Sequence, residues 1–144
     1  MILHRFCSKE EYEKYMAGEK LVNNKDHGAE RGYHVTTAVG FWFFVEDPEK
    51  AKHWLSGIVD LDYCLTFETS HANVFLCKGR YADWKEGVNP PGRILRTEFC
   101  CREYDNKTFK LIKASTEFRG YAPNATEVNE FINELKKGLT TIKN

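Results

Sequence analysis

The stretch GFWFFVEDPEKAKHW, residues 40–54, sets four large aromatic side chains in a row and then turns charged. Successive side chains of a strand point to opposite faces, so Phe41 and Phe43 share one side while Trp42 and Phe44 share the other. A strand that is apolar on both sides has to be covered on both. Asp47 is a good helix cap and Pro48 a good first helical residue, so a helix follows at once, with Ala51, Trp54 and Leu55 on one face and Gly57 as its stop. His53 falls roughly 100° from Trp54, off the centre of that face and at its edge.

Working outward, residues 2–6 (ILHRF) read as a short strand. Ser8 and Glu11 form an S-x-x-E capping box ahead of a helix over about 9–17, with Tyr12, Tyr15 and Met16 at helical spacing and Gly18 as the stop. Residues 23–32 (NNKDHGAERG) and 81–92 (YADWKEGVNPPG) are polar or proline-bearing and predict long loops. Strands are predicted over 33–37, 41–45, 62–69, 74–77, 94–104 and 108–113, with Asp105-Asn106-Lys107 as a turn. Val128, Phe131, Ile132 and Leu135 follow i, i+3, i+4, i+7, which predicts a third helix ending at Gly138. Residues 1–144 are expected to form one domain of class α+β: a largely antiparallel, split sheet system with three flanking helices and a frayed tail over 139–144.

Lys plus Arg and Asp plus Glu are both 21, so no net positive field points to nucleic acid. No apolar run approaches the roughly 20 residues of a membrane span, and the apolar start is too short for a signal peptide. Asn106-Lys107-Thr108 and Asn124-Ala125-Thr126 fit the glycosylation pattern but carry no meaning without secretion. Five scattered cysteines, with no C-x-x-C pair, fit reduced thiols and a cytoplasmic location. His27 and His34 lack supporting ligands, so no metal is expected.

Three short segments in this order (ILHRF, GFWFF and RTEF at 96–99) resemble the ADP-ribosyltransferase fold. That resemblance implies an enzyme that cleaves NAD, as substrate, and moves ADP-ribose to a protein, nucleic acid or small-molecule acceptor. It further implies a first strand bearing Arg or His, an aromatic strand leading into a helix beside the nicotinamide, and a glutamate early in a late strand. Carried onto this chain, it makes Glu98 the catalytic carboxylate and Arg5 or His4 the residue that orients the dinucleotide. Phe43 becomes part of an aromatic wall for nicotinamide, His53 takes the place of a stacking tyrosine, and Thr36 with Thr37 loosely replaces a Ser-Thr-Ser strand. RTEF lacks the two-glutamate E-x-E signature of arginine-directed members.

Cleaving the nicotinamide–ribose bond builds positive charge on the sugar, which a nearby carboxylate stabilises. Strand alternation groups Glu98 with Arg96, Cys100 and Arg102, so a solvated ion pair is the plain alternative for Glu98, as a surface ion pair is for Arg5. Alternation also places His4 and Arg5 on opposite faces, so one of them has to be structural. The competing readings are a non-catalytic protein-binding module that uses exposed aromatic loops around Trp84, a thiol enzyme built on Cys100 or Cys101, and a nucleic-acid module.

Overall fold

The computed structural model describes residues 1–25, 40–57, 59–76 and 98–123, plus Thr126, Asn129, Glu130 and Asn133, with the side chains of Trp54 and Leu76 excepted. The expected strand at 33–37, residues 26–32 of the first expected loop, the second loop at 81–92, Cys77 at the end of the expected strand 74–77, and the stretch 94–97 lie outside the described residues. The expected third helix does too, apart from the last three of those isolated residues, which are helical together with Thr126.

The class is α+β. Strand β1 (Ile2–Cys7) leads through the Ser8 cap into helix α1 (Lys9–Met16), where the Ser8 hydroxyl accepts the Glu11 N–H at 3.1 Å. After β2 (Leu21–Val22) come β3 (Phe41–Phe44) and α2 (Pro48–Leu55), whose Asp47 cap accepts the Glu49 N–H. Then follow β4 (Tyr63–Thr69), β5 (Phe75–Leu76), β6 (Glu98–Cys101), β7 (Glu103–Tyr104) and β8 (Phe109–Ser115). Six of these form an antiparallel sheet in the order β5-β6-β3-β1-β4-β8, while β2 and β7 form a separate two-stranded sheet.

The strand expected to run unbroken to Tyr104 divides at Arg102. Up to Cys101 the chain pairs with β3; beyond it, Tyr104 and Glu103 pair with Leu21 and Val22. Arg102 accepts a hydrogen bond from the Asn23 N–H at 2.8 Å, and the Gly40 N–H donates to Lys25 beside it. Gly40 has φ +64°, and a Cβ there would collide with the carbonyl oxygens of Cys101 and Asn23. Only glycine lets the chain enter β3 through this gap.

Register assigns every strand residue to a face. Directly paired residues share a face, and the pairings His4 with Phe44, His4 with Thr66 and Phe44 with Glu98 put all four on one side. That side is the α2 face: Phe6, Phe44 and Cys64 pack there with Ala51 of α2, Leu61 and Phe118. The opposite, α1 face holds Leu3, Cys7, Phe41, Phe43, Leu65, Phe67 and Phe109, closed over by Tyr15 of α1 and by Leu21 and Tyr104 of the small sheet. Here the rings interlock, Phe43 on Phe109 at 4.7 Å and Phe41 edge-on to Tyr104 at 5.0 Å. Each such buried ring contributes on the order of 2–3 kcal/mol before entropy is charged. The Tyr15 hydroxyl donates to the Phe109 carbonyl at 2.6 Å and accepts the Leu111 N–H, pinning α1 to β8.

Candidate functional site

Arg5 points into the α1 face. Its Nε and Nη2 donate to the two carboxylate oxygens of Glu11 at 2.5 and 2.8 Å, and its Nη1 donates to the Trp42 carbonyl at 2.9 Å. The guanidinium lies over the rings of Phe41 and Phe43, 5.1 and 5.6 Å from their centroids. The Tyr104 hydroxyl donates to Glu11 at 2.6 Å. Burial alone would lower the Arg5 pKa, but the bond and charge of Glu11 outweigh it and the net shift is upward. Burial would likewise raise the Glu11 carboxyl, yet Arg5 and Tyr104 hold it below its usual range. Arg5 is therefore neither a surface ion pair nor a neighbour of Glu98. It is a core cation that joins β1, β3, α1 and β7.

This corrects two sequence expectations. Arg5 and Glu98 stand on opposite faces of one sheet, so they cannot line a common hollow. Phe43 faces the aromatic core on the Arg5 side; the aromatic beside Glu98 and His4 is Phe44, one residue on. Both errors share one cause. The pleat fixes which neighbours alternate, but only the pairing of β1, β3 and β6 says which alternate set meets which.

His4 and Glu98 do come together. His4, Phe44 and Glu98 occupy one row across β1, β3 and β6, which places the backbone of His4 and Glu98 two strand spacings apart, roughly 9–10 Å. Glu98 lies in β6 and is buried, 4% exposed. The His4 ring packs against Phe44 at 5.6 Å, and its Nδ1 is 2.8 Å from the Thr66 hydroxyl. Burial holds the His4 pKa below the ordinary histidine value, with Asp47 at the α2 cap opposing part of the shift. The ring is neutral at pH 7, a form that offers one donor and one acceptor.

His53 lies on α2, half-buried, with its Nδ1 2.9 Å from the Tyr121 hydroxyl and the two rings edge to face. Tyr121 packs against the cluster containing Phe44. Lys52, paired with Glu49 at 2.8 Å, lies 4.6 Å over the Tyr121 ring. Thr36 and Trp84 lie outside the described residues. Sequence reading missed Phe44, Thr66 and Tyr121. The alternation of β4 puts Thr66 on one face with Cys64 and Glu68, but nothing local in the sequence ties that face to His4.

The thiols among the described residues are poor nucleophiles. Burial pushes Cys7, Cys64 and Cys101 up to about 12, away from the thiolate that reactivity needs, and Cys100 is fully buried. Among the described residues no group of three or more His, Cys, Asp or Glu is placed to hold a metal, and no helix is long and apolar enough to cross a membrane. Comparison of the chain with family models, with curated proteins and with solved structures finds no match.

Proposed function

We propose that the chain is an NAD-dependent ADP-ribosyltransferase of the histidine type, in which Glu98 is the catalytic carboxylate and His4 orients the dinucleotide. The observation that carries this reading is the shared row of His4, Phe44 and Glu98 on the α2 face. Its supports are the place of Glu98 in a late strand of the chain and an aromatic strand that feeds directly into α2. Phe44 and Trp42 then replace Phe43 as the apolar wall, with His53 and Tyr121 at the helix side.

The reaction is a glycosyl transfer. The bond between ribose C1′ and the nicotinamide nitrogen breaks, and its electron pair leaves with neutral nicotinamide. The acceptor's nucleophile bonds to C1′ and gives up its proton to solvent. Glu98 stabilises the cationic sugar between those events. The neutral His4 ring needs no counter-charge to bond a ribose hydroxyl, which suits a partly covered site.

The test is incubation with NAD labelled in nicotinamide or adenine, together with a cell lysate as acceptor source. Released nicotinamide or labelled product is expected from the wild type and from Arg5→Lys molecules that fold, and neither from Glu98→Gln. An intact, folded protein with no NAD-induced rise in melting temperature would end the reading, since NAD at a hundred times its dissociation constant adds about 2.7 kcal/mol. The second reading, a non-catalytic binding module, draws on Phe75, which is 57% exposed on the edge strand β5. A Phe75→Ser variant that keeps NAD turnover separates a binding surface from the site.

A further inference from the structure

His4 binds through Nδ1 to a residue on the far side of β1 from Glu98, and that bond decides what the rest of the ring can do. Thr66 is paired with His4 across β1 and β4, while Phe44 and Glu98 lie across β3 and β6 on the other flank. The Thr66 hydroxyl is 2.8 Å from Nδ1. A hydroxyl both donates and accepts, so two arrangements satisfy that distance. In one, Nδ1 carries the ring proton and donates to Thr66. In the other, Thr66 donates to a bare Nδ1 and the ring proton sits on Nε2.

Among the described residues, Nδ1 of His4 is the one hydrogen-bond partner of that hydroxyl. The threonine proton therefore has one acceptor inside the described protein, the lone pair of Nδ1. A donor left without an acceptor in a half-buried position costs free energy, whereas this arrangement satisfies both groups at once.

We infer that Thr66 is the positioning residue for His4, donating to Nδ1 and so fixing the neutral ring as the Nε2–H tautomer, which presents a hydrogen-bond donor to an oxygen of the bound ligand. The ligand itself, the dinucleotide with its ribose hydroxyls and carboxamide oxygen, rests on the NAD reading above. Thr66 touches no substrate in this scheme. Its part is to hold the ring, and a ring whose other nitrogen is fixed by a neighbour is the usual way a histidine is kept in one tautomer.

Two measurements on the full chain test this separately. Long-range nitrogen–proton NMR on imidazole-labelled protein near pH 8, with the His4→Asn variant assigning the signal, reads the tautomer directly. The Nε2–H form is expected for the wild type, a mixture or the Nδ1–H form for Thr66→Val, and recovery for Thr66→Ser. Calorimetric titration with NAD is expected to show Thr66→Val binding roughly tenfold weaker and Thr66→Ser near wild type. A wild-type Nδ1–H ring, or a Thr66→Val ring unchanged from the wild type, overturns the inference. An Nε2–H ring that responds to Thr66→Val in a protein that binds no NAD upholds the positioning and overturns the NAD reading. If Thr66→Val does not fold, Thr66→Ser and the wild-type tautomer still decide.

Discussion

His4 and Arg5 are consecutive residues, and the two faces they serve differ in kind. On the α1 face, Arg5 is locked by a two-point bond to Glu11, by the Trp42 carbonyl and by two aromatic rings, with Tyr104 completing the carboxylate. On the α2 face, His4 is held by one hydroxyl and one ring, in line with a buried carboxylate two strands away. The first set commits all three guanidinium nitrogens to bonds within the fold. The second keeps a ring nitrogen with no partner among the described residues. A largely buried charge tied at several points stabilises a structure, and a neutral group tied on one side is what a binding site can use.

The sharpest way to break this comparison is to remove the cation. Arg5→Ala leaves Glu11 buried without its counter-charge and is expected to cost about 3–5 kcal/mol, read by urea denaturation. A loss below 1 kcal/mol would return Arg5 to the list of site residues. Tyr104→Phe removes one donor from a charged acceptor and is expected to cost about 1.5–3 kcal/mol in the same measurement. His4→Ala is expected to cost less than Arg5→Ala while abolishing NAD binding, so stability and binding should rank the two neighbours in opposite order.

Acid distinguishes the faces as well. The folded Glu11 carboxyl titrates below its unfolded value, so the stability it contributes is complete above that unfolded value, about 4.3, and is lost as the pH falls through the folded one. His4 is also depressed, but as a base: the unfolded chain binds its proton first as the pH drops below about 6.5, and stability declines from there. Melting temperatures across pH 3–8 should therefore fall in two stages, and His4→Asn should remove the upper stage alone. The smallest expected effect belongs to Glu98→Gln, which keeps the side chain's size: a change in stability within about 1 kcal/mol, together with loss of nicotinamide release.

Much of the fold could be read along the chain because its signals are local. The Ser8 cap, the Asp47-Pro48 start of α2, the Gly18 and Gly57 stops and the Asp105 turn each depend on residues within four positions. The alternation of Tyr63, Leu65 and Phe67 fixed one face of β4 in the same way, and all three pack on or into the α1-face core. What could not be read was pairing. Glu11 looks like a capping-box partner for Ser8, yet its carboxylate is taken by Arg5 and Tyr104, one of them 93 residues away. The division at Arg102 depends on Gly40 and Asn23 meeting the end of β6, which no window of sequence contains. For the candidate site, Glu98 and His4 were both named from the sequence, but the choice of His4 over Arg5 and of Phe44 over Phe43 needed the register of three strands.

The central claim is that ligand binds the α2 face through His4 and Glu98 and leaves Arg5 in the core. Methyl- and side-chain-resolved NMR of the labelled protein during titration with NAD tests it most directly. Shifts at His4, Thr66, Phe44 and Glu98, with the Arg5 guanidinium, Leu3 and Phe67 unmoved, are the predicted result. Shifts centred on Arg5 and the α1 face, or none anywhere at saturating NAD, would contradict it.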